Sequence, residues 1–269
     1  MEHGFGFLAY LALGAGIGFL AGLLGIGGGF TIVPVLTVLF GQQGFASVHV
    51  VHMAVATSSA SILFTATASA RAHHVHGAVL WKVLASLTPG LVVGSLAGPQ
   101  LASRISGTAL AGVFCVVTAV AAFQIARGVR PNPTRQLPTP LVLSLVGLVV
   151  GIVASFVGTG GAFIVVPFLT WCNVRLQHAI GTSAALGVPV ALFGTIGYIV
   201  AGLHQPGLPP YSLGYVYLPA LAGIVTATVF TAPWGARAAH RLPVGKLRIS
   251  FASMLLVLSC YMLFRVATS

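Results

Sequence analysis

The chain has 269 residues, 57% of them hydrophobic and 5% charged, with a mean hydropathy of +1.04. An ordinary soluble domain, about a quarter of whose residues are charged, is excluded, and apolar runs of spanning length recur along the whole chain. The formal charge of +11 does not signal nucleic acid, because Arg71, Lys82, Arg127 and Arg237 stand at the ends of apolar spans, a placement that sets membrane topology.

Taken in order, the first apolar segment covers residues 5–40 and is too long for one crossing. As continuous helix it would measure about 54 Å, against a hydrocarbon core of about 30 Å. Its sequence from Gly18 to Pro34 is G-F-L-A-G-L-L-G-I-G-G-G-F-T-I-V-P, and the run Gly25–Gly29 offers a place to reverse. The segment lacks a basic leader, so a cleaved signal peptide is not expected. Spans are predicted next at 48–70, 78–102 and 107–127, followed by a polar, proline-containing linker. A second interrupted segment covers 138–172, and spans at 178–202, 213–235 and 246–265 complete the chain. Cys115, Cys172 and Cys260 have no CxxC or zinc spacing and read as small packing residues.

The second interrupted segment repeats the first. From Gly151 to Pro167 it reads G-I-V-A-S-F-V-G-T-G-G-A-F-I-V-V-P, so Gly25, Gly27, Gly28 and Pro34 recur as Gly158, Gly160, Gly161 and Pro167 at one constant offset. Ala56-Thr57-Ser58 matches Gly181-Thr182-Ser183, and Ala97-Gly98-Pro99 loosely resembles Thr231-Ala232-Pro233. Paired, interrupted hydrophobic segments in two halves are the mark of a secondary transporter built from internal repeats. The organisation expected is a first transmembrane repeat at 1–127, a cytoplasmic linker at 128–137 and a second repeat at 138–269.

Charge fixes the topology. If the first segment crossed once, the basic residues outside the spans would divide evenly between the two sides. If it enters and returns, one side collects Arg71, Lys82, Arg127, Arg130, Arg135, Arg175, Arg237, Arg241, Lys246 and Arg248, leaving Arg104 and Arg265 on the other. The positive-inside rule selects the second distribution. Each half then makes an odd number of net crossings, so the halves are inverted and both termini lie outside. The parity is the same whether each broken segment is a re-entrant hairpin or two short spans. The fold class is therefore an all-α polytopic membrane protein of two inverted repeats, each with a glycine-broken helix plus three transmembrane helices.

Glu2 is the only carboxylate. Carboxylate general acids, carboxylate metal cages and Asp/Glu proton relays are out of reach, so no enzyme, metal site or cofactor is expected. An interior that is neutral or positive favours an anionic cargo. A helix broken at glycine exposes backbone N–H groups at the positive pole of the helix that follows, and glycine lets an anion approach the backbone. The expected substrate-binding residues are Gly25, Gly27, Gly28 and Gly29 in the first break and Gly158, Thr159, Gly160 and Gly161 in the second. Thr57, Ser58, Thr182 and Ser183 add hydroxyls. The competing account has the glycines serving close helix packing and the hydroxyls bonding within or between helices. His73, His74 and His76 invite a metal reading, but a solvated basic loop after Arg71, with no Cys or acid near it, explains them better. His52 and His178 lie at the outer ends of spans and receive no role.

The pattern G-x-G-G-G-F-x-x-V-P from Gly25, A-T-S at 56–58 and R-x-H-H-x-H-G-x-V from Arg71, repeated in part, resembles the TauE/SafE family of sulfite-exporter-like permeases. The resemblance implies a bacterial inner-membrane transporter of small sulfur-containing anions such as sulfite or organosulfonates. Thr159 and Ala162 stand where the first copy has Ile26 and Gly29, so the two anion-facing ends are expected to be unequal. The reading is an exporter working by alternating access, with the lipid bilayer and a small anion as partners and a homodimer left open. A non-transporting membrane assembly or binding subunit and a transition-metal transporter are the alternatives.

Overall fold

A computed structural model describes residues 2–24, 28–127, 136–239 and 244–268. Its helices are α1 (Glu2–Leu24), α2 (Gly29–Gln42), α3 (Ser47–Val75), α4 (Trp81–Ala102), α5 (Gly107–Arg127), α6 (Pro140–Val157), α7 (Ala162–Trp171), α8 (Leu176–Gly202), α9 (Leu218–Ala239) and α10 (Val244–Thr268). A two-stranded antiparallel hairpin, β1 (Ser212–Leu213) and β2 (Val216–Tyr217), precedes α9. The predicted span at 213–235 thus starts too early. Gly214, at φ +54, turns the chain against Ile199 before the helix begins. The other predicted spans agree with helices to within a few residues.

Both interrupted segments are hairpins with one long and one short arm. α1 has 23 residues and α2 has 14, about 35 and 21 Å. α6 has 18 and α7 has 10, about 27 and 15 Å. After the first break the chain doubles back, because Gly28 lies against Ile17. The far end of α2 reaches the early part of α1, where the Tyr10 hydroxyl donates to Gln43 Oε1 at 2.7 Å and the Tyr10 ring meets Phe40 edge-on. The second hairpin repeats this. Gly161 lies against Val150 and Ala154, while Leu143 of α6 and Leu169 of α7 share one buried cluster. α2 and α7 end alike, with Gly44 and Asn173 in the left-handed region and the carbonyls behind them bonded to the next two N–H groups.

Small residues then let helices from opposite halves touch backbone to backbone, the favoured mode of packing where lipid removes the hydrophobic drive. On α1 and α9, Gly14 meets Ile224, Gly18 meets Thr228 and Thr231, and Gly223 meets Tyr10. On α4 and α6, Gly90 meets Ser144, Gly94 meets Leu148 and Ile152, and Gly98 meets Ser155. In both pairs the residue numbers rise together, so the helices run parallel. α3 and α8 run antiparallel, with Ala66 against Gly187 and Ala78, just past the end of α3, against Gly181. α3 is the central element, and every residue from 49 to 62 is buried.

α3, α5, α6 and α8 have the length and hydropathy to cross a membrane, and shorter apolar stretches occupy Leu8–Phe19, Leu218–Thr231 and Ala252–Val266. Val116, Val120, Leu141, Leu145, Phe230 and Phe264 face outward, an apolar exterior suited to lipid. The helix ends separate the charges. The α3–α4 connection sits on the start of α8, which gathers Arg71, Lys82 and Arg175 at one end. The His52 ring contact with the Ala102 carbonyl and the His49 contact with the Pro206 carbonyl gather the α4–α5 turn, with Arg104, and the α8–α9 connection at the other.

The parallel α4–α6 contact is testable. A side chain at Gly94 overlaps the Leu148 carbonyl, so Gly94→Val should cost about 1–3 kcal/mol and lower the unfolding temperature in detergent. Gly112→Val, where an added Cβ meets nothing within 4 Å, should leave it unchanged.

Candidate functional site

The second break is fully described. α6 ends with Gly158 in the left-handed region at φ +63, and the N–H groups of Gly158 and Thr159 turn back to the carbonyls of Ser155 and Ala154. Gly161, also left-handed at φ +75, begins α7. Only glycine takes these conformations without steric cost. In the first break, Gly28 begins α2. Gly25 and Gly27, predicted there as ligands, lie outside the described residues.

Neither Gly28 nor Gly161 supplies a side-chain cap. The first intrahelical bonds run from the N–H of Thr31 to Gly28 and from that of Ile164 to Gly161. The N–H groups of Gly29, Phe30, Ala162 and Phe163 therefore precede the bonded turns, at the positive ends of their helices. α2 and α7 each turn back sharply into α3 and α8. Because α3 and α8 are antiparallel, the two short helices run away from the breaks in opposite directions.

The breaks touch. A Cβ on Gly29 would stand 2.5 Å from the Gly158 carbonyl oxygen and 3.0 Å from Thr159 Cγ2. One residue further along each copy, the rings of Phe30 and Phe163 pack edge to face at 5.2 Å. α3 lines one flank, where the Ser58 hydroxyl donates to the Gly158 carbonyl at 2.8 Å and Ile62 packs beside Gly29 and Gly160. α8 lines another, where Gly187 Cα lies 3.5 Å from the position of a Gly160 Cβ. A short arm thus brings its N-terminus to the same place in each half, inside a bundle whose only carboxylate is at residue 2.

The predicted hydroxyls divide by role. Thr57 Oγ1 accepts the N–H of Tyr217, just before α9, at 3.1 Å. Thr182 Oγ1 accepts the N–H of Leu80, just before α4, at 2.9 Å. Both oxygens serve the scaffold, in matched positions, by satisfying the entry to a helix. Ser58 holds the break itself. Thr159 Oγ1 and Ser183 Oγ are buried without a hydrogen-bond partner. In the histidine run, His74 packs on Trp81 and His76 Nδ1 bonds the Ala72 carbonyl. No group of three or more His, Cys, Asp or Glu able to hold a metal occurs among the described residues. Sequence reasoning missed Ile62, Gly187 and the Phe30–Phe163 pair. The last was readable, because Phe163 recurs at the same offset as the glycines.

The family model described as Sulfite exporter TauE/SafE matches residues 10–262, and the chain belongs to that family. A probable membrane transporter protein of Haemophilus influenzae is 36% identical, covering 95% of this chain and 97% of its own length. Similar proteins described in the same words occur in Methanocaldococcus jannaschii, 26% identical over 96% and 97%, and in Bacillus subtilis, 28% identical over 69% and 76%. No solved structure matches. Family membership and the apolar helices make this a multi-pass membrane transporter and not an enzyme.

The scaffold role of the two threonines has a direct check. Thr57→Val and Thr182→Val each strand a backbone N–H and should destabilise the protein by about 1–3 kcal/mol. Thermal unfolding of each variant, compared with substrate affinity, decides the matter: a changed affinity with unchanged stability would make them ligands instead.

Proposed function

We propose that this member of the TauE/SafE family is a secondary transporter that exports small sulfur-containing anions, such as sulfite or organosulfonates, by alternating access. The observation that carries this reading is the contact of Gly29 with the Gly158 carbonyl and the Thr159 methyl, which brings two helix N-termini together in the interior. Such termini bind anions through backbone N–H groups and the helix dipole. Discontinuous helices meeting between repeats are the usual ligand sites of secondary transporters.

The opposed directions of α2 and α7, and of α3 and α8, support an inverted repeat. The matched threonine bonds to the entries of α9 and α4 support it too. Rocking of one half against the other would expose the junction to each side in turn. The end carrying Arg71, Lys82 and Arg175 is then cytoplasmic by the positive-inside rule, with the termini outside a bacterial inner membrane. A monovalent anion leaving a negative cytoplasm gains about 2.3 kcal/mol per 100 mV, so export needs no coupling ion. That suits spans without a carboxylate.

The test is uptake of labelled sulfite and sulfoacetate by proteoliposomes under an imposed potential. Saturable uptake that follows the potential is expected. Gly160→Ala, whose Cβ makes an ordinary contact at 3.5 Å with Gly187, should reduce it roughly tenfold without lowering the unfolding temperature. No uptake of either compound would overturn the cargo, and strict dependence on sodium or a proton gradient would overturn the uncoupled mechanism.

A further inference from the structure

The two halves do not treat the junction alike. Ser58 and Ser183 occupy matched positions on α3 and α8, and so do Ile62 and Gly187, four residues further on. In the first half the Ser58 hydroxyl is committed to the Gly158 carbonyl and the Ile62 side chain fills the space beside Gly29 and Gly160. In the second half Gly187 brings no side chain, and α8 presents its backbone to Gly160 instead. Ser183 sits one turn earlier on the same face of α8. Ser183 is 1% exposed and its hydroxyl has no partner. Thr159, for which the first break has Ile26, brings the only side-chain hydroxyl of either break. It is 7% exposed, its methyl faces Gly29, and its oxygen has no partner.

A buried hydroxyl without a bond carries an uncompensated desolvation penalty, and such groups in native folds call for an explanation. Here Thr159 lies two residues before the N-cap of α7, and Ser183 lies one turn of α8 from Gly187, the residue that meets Gly160. The other unpartnered hydroxyls among the described residues, those of Ser95, Thr118, Ser212 and Ser259, belong to α4, α5, β1 and α10 and not to a break or to the α8 face that meets Gly160. The remaining predicted hydroxyls, those of Thr57, Ser58 and Thr182, all have protein partners.

We propose that the anion seat is lopsided: the N-terminus of α7 holds the anion, the hydroxyls of Thr159 and Ser183 are its side-chain donors, and this pair selects small oxyanions over halides. The proposal rests on the transport reading above. An oxyanion presents several oxygens, each able to accept from a separate donor, whereas a halide offers one spherical centre. Donors fixed on two different elements therefore reward the first and leave the second under-bonded. Ser58, locked to the Gly158 carbonyl, acts on the seat only by positioning.

The test is sulfite uptake by proteoliposomes, with and without excess bromide, for the wild type and for Thr159→Val, Thr159→Ser, Ser183→Ala and Ser61→Ala. Ser61, whose hydroxyl bonds the Thr57 carbonyl in its own helix, is the control. Wild-type uptake should resist bromide. Thr159→Val and Ser183→Ala should each raise KM for sulfite roughly tenfold and let bromide compete, while Thr159→Ser and Ser61→Ala behave as wild type. Recovery in Thr159→Ser separates a lost hydroxyl from a damaged fold. Wild-type protein that carries no sulfite overturns the transport reading and this proposal with it. Wild-type transport with KM and selectivity unchanged in Thr159→Val and Ser183→Ala overturns the proposal alone.

Discussion

Inside a bilayer an interrupted helix leaves backbone N–H and C=O groups with no water to receive them, and the rest of this fold depends on how those groups are met. At the second break the carbonyls of Ser155 and Ala154 are met by the N–H groups of Gly158 and Thr159, and the Gly158 carbonyl is met by Ser58. The N–H groups of Gly29, Phe30, Ala162 and Phe163 precede the first bonded turns of α2 and α7. Packing the two breaks against each other, away from lipid, is what makes the interruption tolerable. It also concentrates positive potential at one place.

The surrounding helices hold that place between them. Parallel contacts of α1 with α9 and of α4 with α6 bind each hairpin's long arm to the opposite half through glycine. The matched threonines tie α3 and α8 to the entries of α9 and α4. Each half is thus held mainly by the other, and the junction lies where both contribute. Small residues suit such an arrangement because their contacts are extensive yet carry no interlocking side chains that would resist sliding.

Much of this was legible in the sequence. Hydropathy located the helices, and the doubled glycine pattern located the breaks, because both are local properties of the chain. The partners of the hydroxyls were not legible. Thr57 and Ser58 are neighbours with the same chemistry, yet one accepts from Tyr217 and the other donates to Gly158, a division set by which face of α3 each occupies. The hairpin before α9 was hidden in an apolar stretch, since Val216 and Tyr217 suit a strand and a span equally. The difference at Thr159 was visible as a substitution, but the missing partner of Ser183 depends on what surrounds it in the fold.

The central claim is that cargo occupies the junction of the two breaks, and access to that junction tests it most directly. Gly160→Cys, in protein with Cys115, Cys172 and Cys260 replaced by serine, can be treated with a small membrane-impermeant maleimide from either side of a vesicle. Sulfoacetate serves as protectant because it does not consume the reagent. The account predicts labelling from both sides, slowed by sulfoacetate. A cysteine that reacts from neither side, or whose labelling sulfoacetate leaves unchanged, would contradict it.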